Sequence, residues 1–514
     1  MKLAVDRKTS QLIVALRNNA ISESEVYMEY RKLALLSQVK SEHLIYSNVN
    51  NLFNRFKIAK LLKLSGITKA KGHTPVMMLY QMLLLILDRS NSVNSGLNTF
   101  YRKNLKTPIN DMLNNEYFNW RKLLYLVSAI FIKTYMSFNK QSEPVLIIDD
   151  TSKKKAGSKV ENIAWFFDHC QNTCYKGYQV VAAALSLGRL SFILDFEFKI
   201  GKSKLKHAAK TSYPKGSHTE QRERMGKQDK NQITRDFIGR IMKRRIKFNY
   251  LLWDSWYSNY ENLKYICSRL LPKGIHLVAM VKRDNQKYDY YGKCMTIKQI
   301  YKKIGKWQTD PQTNIKFKSA QVAVLDKLSS KKAESRSPLI EVTMCFYRYP
   351  KTKQYRTLIC TDLEKSPLDV LTLYLRRWSV EVIFQELKGL FGFDQSKSSK
   401  YAAQIADLTI RCVFYTMFCS LRASQPQKTT QQLLVEFYKE IEEVAIDILL
   451  KEIFACKVKE FLNMAKKYGY KTVEELLDNV DEMLISFFAK EWHENNVVDV
   501  DIGDFTKKYY NIAA

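Results

Sequence analysis

Apolar positions recur at helical spacing, or run without interruption, through Ser22–Leu36, Asn51–Leu64, Pro75–Leu87 and Trp120–Phe138. Residues 1–140 therefore read as a helical region. Gly66, Gly72 and Pro75 punctuate it, and Thr74-Pro75 supplies an N-cap followed by a proline in the first turn. Asn54–Leu64, Ser65-Gly66 and the next helix read equally as helix-turn-helix or as plain helical packing. The pattern then shortens. Val145–Ile148 is a buried strand leading into Asp149-Asp150-Thr151, and Tyr178–Leu187 with Leu190–Ile200 forms a hairpin around Gly188. Lys199–Lys230 carries ten Lys and Arg against three acids and reads as a polar loop. Asn231–Lys243 is a helix, Tyr250–Trp253 a strand ending on Asp254, Tyr260–Leu271 a helix and His276–Val281 a strand. From about Lys282 to Thr361, short alternating runs such as Ala320–Leu325, Ile340–Tyr347 and Tyr355–Cys360 predict antiparallel strands. Apolar helices follow, including Ala403–Ala423, and helical character continues from Thr429 to Trp492.

Between the alternating runs and Ala403 lies Tyr374–Lys388, YLRRWSVEVIFQELK. As one helix it places Tyr374, Arg377, Glu381 and Lys388 at i, i+3, i+7 and i+14, within an arc of about 60°. A phenol, a guanidinium, a carboxylate and an ammonium would share one face. The spacing Tyr-x2-Arg-x3-Glu-x6-Lys resembles the YREK signature of insertion-sequence transposases of the DDE superfamily, and all four positions match.

Two further carboxylates end strands, Asp150 after the first and Asp254 after Tyr250–Trp253. Three strands, helix, strand, helix, strand and a late acid-bearing helix is the RNase H-like layout, in which the first and fourth strands are neighbours. Two Asp then meet at one sheet edge and the late helix brings Glu381 toward them. Three clustered carboxylates repel unless cations lie between them. Their oxygens suit Mg²⁺, with Mn²⁺ as a substitute. Two such ions would activate the attacking hydroxyl and stabilise the leaving oxygen.

The resemblance covers residues 145–425 and implies Asp150, Asp254 and Glu381 as catalytic metal ligands. It implies Tyr374, Arg377 and Lys388 as contacts to transposon-end DNA, where Arg and Lys neutralise phosphate. Asp149 would point to the opposite face from Asp150; the acid directly before Thr fits the family pattern, which assigns Asp150 and leaves Asp149 a local hydrogen-bonding role. The long gap from Asp254 to Glu381 is similar to that of members carrying a β-rich insertion domain, and those members imply a DNA-hairpin intermediate.

The expected fold is α/β, an RNase H-like catalytic core interrupted by a β-rich insertion, with helical N-terminal and C-terminal regions. Its parts are a helical DNA-end-binding region (1–140), the core (141–285), the insertion (286–365), the remaining core with the YREK helix (366–425) and an acidic helical C-terminal region (426–514). The expected activity is cut-and-paste transposition of double-stranded DNA, with cleavage at inverted-repeat ends and strand transfer into target DNA by a homodimer. The alternatives are an RNase H-type nuclease or resolvase without strand transfer, and a catalytically silent DNA-binding protein.

Charge agrees with a polyanion partner. The 514 residues carry a net +32. From Thr429 onward ten Lys face 17 acids, a net of −7, which leaves +39 on the first 428 residues. The acidic end suits a protein surface. Nine Cys without framework spacing predict a reduced, cytoplasmic protein, and the transposase resemblance implies that it is nucleoid-associated in a prokaryotic cell. The longest apolar stretch, Val76–Leu87, is 12 residues interrupted by Gln81, too short for a membrane span. Trp307 reads as a core residue of the insertion, and His169-Cys170-x3-Cys174 lacks the second ligand cluster of a zinc site. With no Walker A loop, nucleotide hydrolysis is not expected.

Overall fold

The eight short apolar and alternating runs become strands of one sheet, which has twelve strands among the described residues. The computed structural model describes residues 47–87, 106–139, 141–157, 159–168, 171–201, 212–330, 332 and 335–439. The expected helix Ser22–Leu36, most of the acidic C-terminal region, and His169 and Cys170 lie outside these residues.

Among the described residues five helices come first: α1 (Ser47–Arg55), α2 (Ile58–Leu64), α3 (Pro75–Leu87), α4 (Lys106–Asn114) and α5 (Trp120–Phe138). The single helix expected over Asn51–Leu64 is split, because Lys57 takes a left-handed conformation at φ 52°. Thr74 caps α3, its Oγ1 accepting from Met77 N at 3.2 Å. The helix is buried from Met78 to Leu87, Gln81 included, and is a core element. No described helix is long and apolar enough to cross a membrane.

The core sheet follows: β1 (Val145–Lys154), β2 (Ala164–Asp168), β3 (Thr173–Leu187), β4 (Leu190–Lys199), α6 (His218–Gly226), α7 (Lys230–Lys243), β5 (Tyr250–Trp253), α8 (Tyr260–Arg269) and β6 (His276–Met280). β3 lies between β4 and β1, antiparallel to both, while β1, β5 and β6 run parallel in that order. This is the strand order of the expected RNase H-like layout. β1 outlasts its apolar run by six residues, pairing with β3 as far as Lys154 opposite Gly177. A Cβ at Gly177 would sit 2.1 Å from the Lys153 carbonyl oxygen, so this close strand approach requires glycine.

The insertion contributes β7 (Lys287–Tyr290), β8 (Lys293–Thr296), α9 (Ile297–Lys303), β9 (Gln308–Thr309), β10 (Lys316–Leu325), β11 (Pro338–Arg348) and β12 (Arg356–Cys360). β12 pairs antiparallel with β6, so the sheet continues without interruption as β6-β12-β11-β10-β7-β8. α10 (Pro367–Leu375), α11 (Trp378–Gly389) and α12 (Tyr401–Ser424) follow. α12 is buried from Tyr401 to Ser420, close to the apolar helix expected over Ala403–Ala423.

The polar-loop reading of Lys199–Lys230 is corrected within its described part: His218–Gly226 is helix α6. Ser217 caps it, accepting from Glu220 N at 3.1 Å. Its Arg222 is buried and donates to Glu197 of β4 at 2.8 Å. Charge there signals a buried ion pair rather than a solvated surface. Arg121 of α5 joins the same network, bonding Asp195 at 2.9 Å and Glu197 at 2.5 Å, and Arg240 of α7 bonds Asp195 at 2.9 Å. Burial alone would raise the Asp195 pKa, but the three guanidiniums outweigh it and hold this carboxyl well below the usual range.

Lys153 is fully buried, and its Nζ donates to the Phe393 carbonyl. Burial first, then the neighbouring Lys155 charge, lower its pKa to about 7. The unfolded chain therefore holds more protons than the folded one between about pH 7 and the ordinary lysine value of 10.5. Stability from this group must rise with pH across that window. In Lys153→Met the term is absent, so the stability difference between wild type and variant should shift in favour of wild type from pH 7 to pH 10. Parallel pH profiles of melting temperature would contradict this.

Candidate active site

Alternation along β1 sorts its polar residues onto two faces. Asp149, Thr151 and Lys153 share one face, and all three meet α11, the residue before it, or the loop after it. Arg377 NH1 donates to Asp149 Oδ2 at 2.6 Å, Lys388 Nζ to Thr151 Oγ1 at 2.8 Å and Lys153 to the Phe393 carbonyl. Arg377 NH2 also donates to Glu381 Oε1 at 2.7 Å. One guanidinium thus joins Asp149 to Glu381. Its Nε is buried without a hydrogen-bond partner among the described residues.

Asp150 points to the other face. Its Oδ1 accepts from Tyr257 Oη at 2.8 Å and Lys230 Nζ at 3.0 Å, and its Oδ2 from Gln179 Nε2 at 2.6 Å. The partners of Asp150 lie on β3, on α7 and in the turn after β5, whereas Arg377 links Glu381 to Asp149. Asp254 follows β5, the parallel neighbour of β1, and its Oδ1 accepts from Trp256 N at 2.9 Å. Asp149, rather than Asp150, is the first-strand acid on the side of Glu381.

The electrostatics bind the acids together. Burial raises the Asp149 pKa to about 7 against the opposing pull of Arg377, and the charges of Asp150 and Asp254 add to the rise. Burial also raises the Asp254 pKa, with Asp150 contributing. Arg377 and Lys230 offset only part of this cost, and a divalent cation would relieve the remainder. Among the described residues no three ligating side chains already converge on one point. Lys230 and Arg377 instead occupy the carboxylate oxygens. The donor set, carboxylate oxygens of Asp149, Asp254 and Glu381, fits a hard cation.

The YREK segment is not the single α-helix expected. α10 stops at Leu375 and α11 starts at Trp378. At the joint, Arg376 N and Arg377 N donate three residues back, to Leu373 and Tyr374 carbonyls at 3.1 and 2.9 Å. This tightened 3₁₀-like turn keeps Tyr374, three residues before Arg377, nearly eclipsed with it. The Arg377 guanidinium accordingly lies 5.8 Å from the Tyr374 ring centre. Tyr374, Arg377, Met280 and Trp378 also line a cavity of about 110 Å³ with Tyr347 and Arg356 of the insertion strands. Trp307 is half-buried against Tyr301, in agreement with a packing role.

A family model for the DDE superfamily endonucleases matches residues 83–311. The match spans β1 and β5, and so Asp149, Asp150 and Asp254, and ends before α11. It supports a DDE-superfamily nuclease, a family that acts on DNA and generally uses divalent metals. No curated protein matches the chain.

Sequence reasoning missed Gln179, Lys230 and Tyr257 as partners of Asp150. Tyr257 stands three residues after Asp254 in WDSWYS and was legible only as packing. Lys230 closes a run of basic residues and carries no local signal.

Proposed function

We propose that this protein is a cut-and-paste DNA transposase that cleaves inverted-repeat ends and joins the freed 3′ ends to target DNA. The observation that carries the reading is Arg377, which bonds both Asp149 and Glu381 within a segment that matches the YREK spacing at every position. Asp149, Asp254 and Glu381 would hold two Mg²⁺, or Mn²⁺ in its place, and the bound ions would supply charge neutralisation and an activated oxygen nucleophile. Asp149 replaces Asp150 in this set because Asp150 already accepts three hydrogen bonds on the face away from α11.

Arg377 orients Glu381 through NH2 while NH1 holds Asp149. Lys388, half-buried beside Thr151, suits a phosphate of the strand on which the reaction takes place, whereas Tyr374 is 8% exposed and supports Arg377 from within. Residues 1–140 would bind the transposon end, residues 286–365 would form the insertion, and the acidic region 426–514 would support a homodimer holding two ends. Such a protein would work in the cytoplasm at the nucleoid. The resemblance to insertion-bearing members supports a hairpin intermediate.

The test is incubation of the full chain with a duplex carrying a candidate inverted-repeat end. Mg²⁺ should permit a cut at the end and EDTA should abolish it, and a second duplex should become joined to the cut end. Cleavage without any joined product would favour an RNase H-type nuclease or resolvase. Binding without cleavage at any metal concentration would favour a silent DNA-binding protein.

A further inference from the structure

Trp256 is 48% exposed although it stands two residues after Asp254, beside the acids. Its backbone N–H is fixed to Asp254 Oδ1 at 2.9 Å. Two ammonium groups lie over its indole, Lys230 Nζ at 4.7 Å and Lys282 Nζ at 4.5 Å from the ring centre. The Lys230 ammonium is held a second time, at 3.0 Å from Asp150 Oδ1, and the Lys282 side chain is exposed. The two lysines come from different parts of the fold, the first turn of α7 and the segment after β6. Two like charges drawn over one ring repel each other, and the indole's negative π-face offsets that repulsion. Neither Lys282 nor Trp256 is needed to complete the acid set.

We propose that Trp256, Lys230 and Lys282 form a phosphate-binding subsite for the DNA strand entering the acid cluster, with Trp256 as its positioning residue. The inference rests on the DNA reading of the site. An ammonium has three donors and no acceptors, and a phosphodiester offers two charged oxygens to receive them. Lys282 supplies the accessible charge. Lys230 spends one N–H on Asp150 and presents the rest, and Trp256 keeps both cations at one place instead of letting two flexible stems wander.

The experiment measures duplex binding by the full chain against salt concentration. Each phosphate neutralised adds about 0.9 to the slope of log K against log salt. Lys282→Met should lower the slope by about 0.9. Trp256→Leu removes no charge, yet should also lower the slope and weaken binding about tenfold, while Trp256→Phe should restore most of both. A Trp256→Leu protein that binds with wild-type affinity and slope would overturn the subsite while leaving the DNA reading in place. Equal losses in the Leu and Phe variants would overturn it as well, since an aromatic face would then not matter. If wild type shows no salt-dependent DNA binding, the DNA reading fails and the subsite falls with it.

Discussion

Glu381→Gln should leave end binding intact and lower cleavage at least about 100-fold, the upper range for losing a mere outer-shell partner of a metal site. Glu381 side-chain exposure is 36%, and the carboxylate is held by Arg377. The amide keeps the volume and one oxygen but loses the charge that a hard cation requires. Arg377 would still bond Asp149, so the joint between α10 and α11 should survive and circular dichroism should match wild type. Asp149→Asn should behave in the same way. Asp150→Asn should lose less, because its role is to anchor Lys230, Tyr257 and Gln179. Gel assays of cleavage and binding decide the matter. Undiminished cutting by Glu381→Gln would remove α11 from the chemistry, and a silent Asp150→Asn beside an active Asp149→Asn would return the first-strand role to Asp150.

Arg121→Leu should destabilise the protein by about 3 kcal/mol, the lower end for breaking a buried ion pair. The leucine keeps the apolar stem and removes the guanidinium that bonds both Asp195 and Glu197, two carboxylates that are 1% and 0% exposed. The lower end applies because each acid keeps one guanidinium, Arg240 for Asp195 and Arg222 for Glu197, and Asp195 also keeps the Tyr125 hydroxyl. The part carried by Asp195, whose carboxyl is held below its ordinary value, should be complete at neutral pH and fade below the ordinary Asp range. Urea unfolding followed by tryptophan fluorescence reads it directly, and a change below about 1 kcal/mol would mean the network tolerates the loss, as an exposed pair does.

The sequence made the sheet legible because its strands are buried apolar runs with clear punctuation. Val145–Ile148, Tyr250–Trp253 and His276–Met280 lie side by side in the core, and Gly188 turns the β3–β4 hairpin. The polar end of β1 was less legible, since Asp149 to Lys154 contains no apolar residue and is ordered by pairing with β3. Charge misled where burial overrode it: Arg222 lies in a stretch that reads as a solvated loop yet faces Glu197 inside the core. At the site, spacing alone brought Arg377 and Glu381 together. It could not show which of two adjacent acids faces α11, because the face depends on the strand register. That register becomes visible only when Thr151 meets Lys388 and Asp149 meets Arg377.

The unbroken pairing of β12 with β6 has a mechanical consequence. Six inter-strand steps separate β5, which ends at Asp254, from β8 at the far edge. At about 4.8 Å per step this is a plate about 29 Å wide, every seam of it stitched by backbone hydrogen bonds. Among the described residues the strand order runs unbroken from the acid to the outer edge. A load placed on the far strands by a bent duplex would therefore reach Asp254 as torque on a lever, and flexing at a seam to relieve it would require breaking ladder hydrogen bonds.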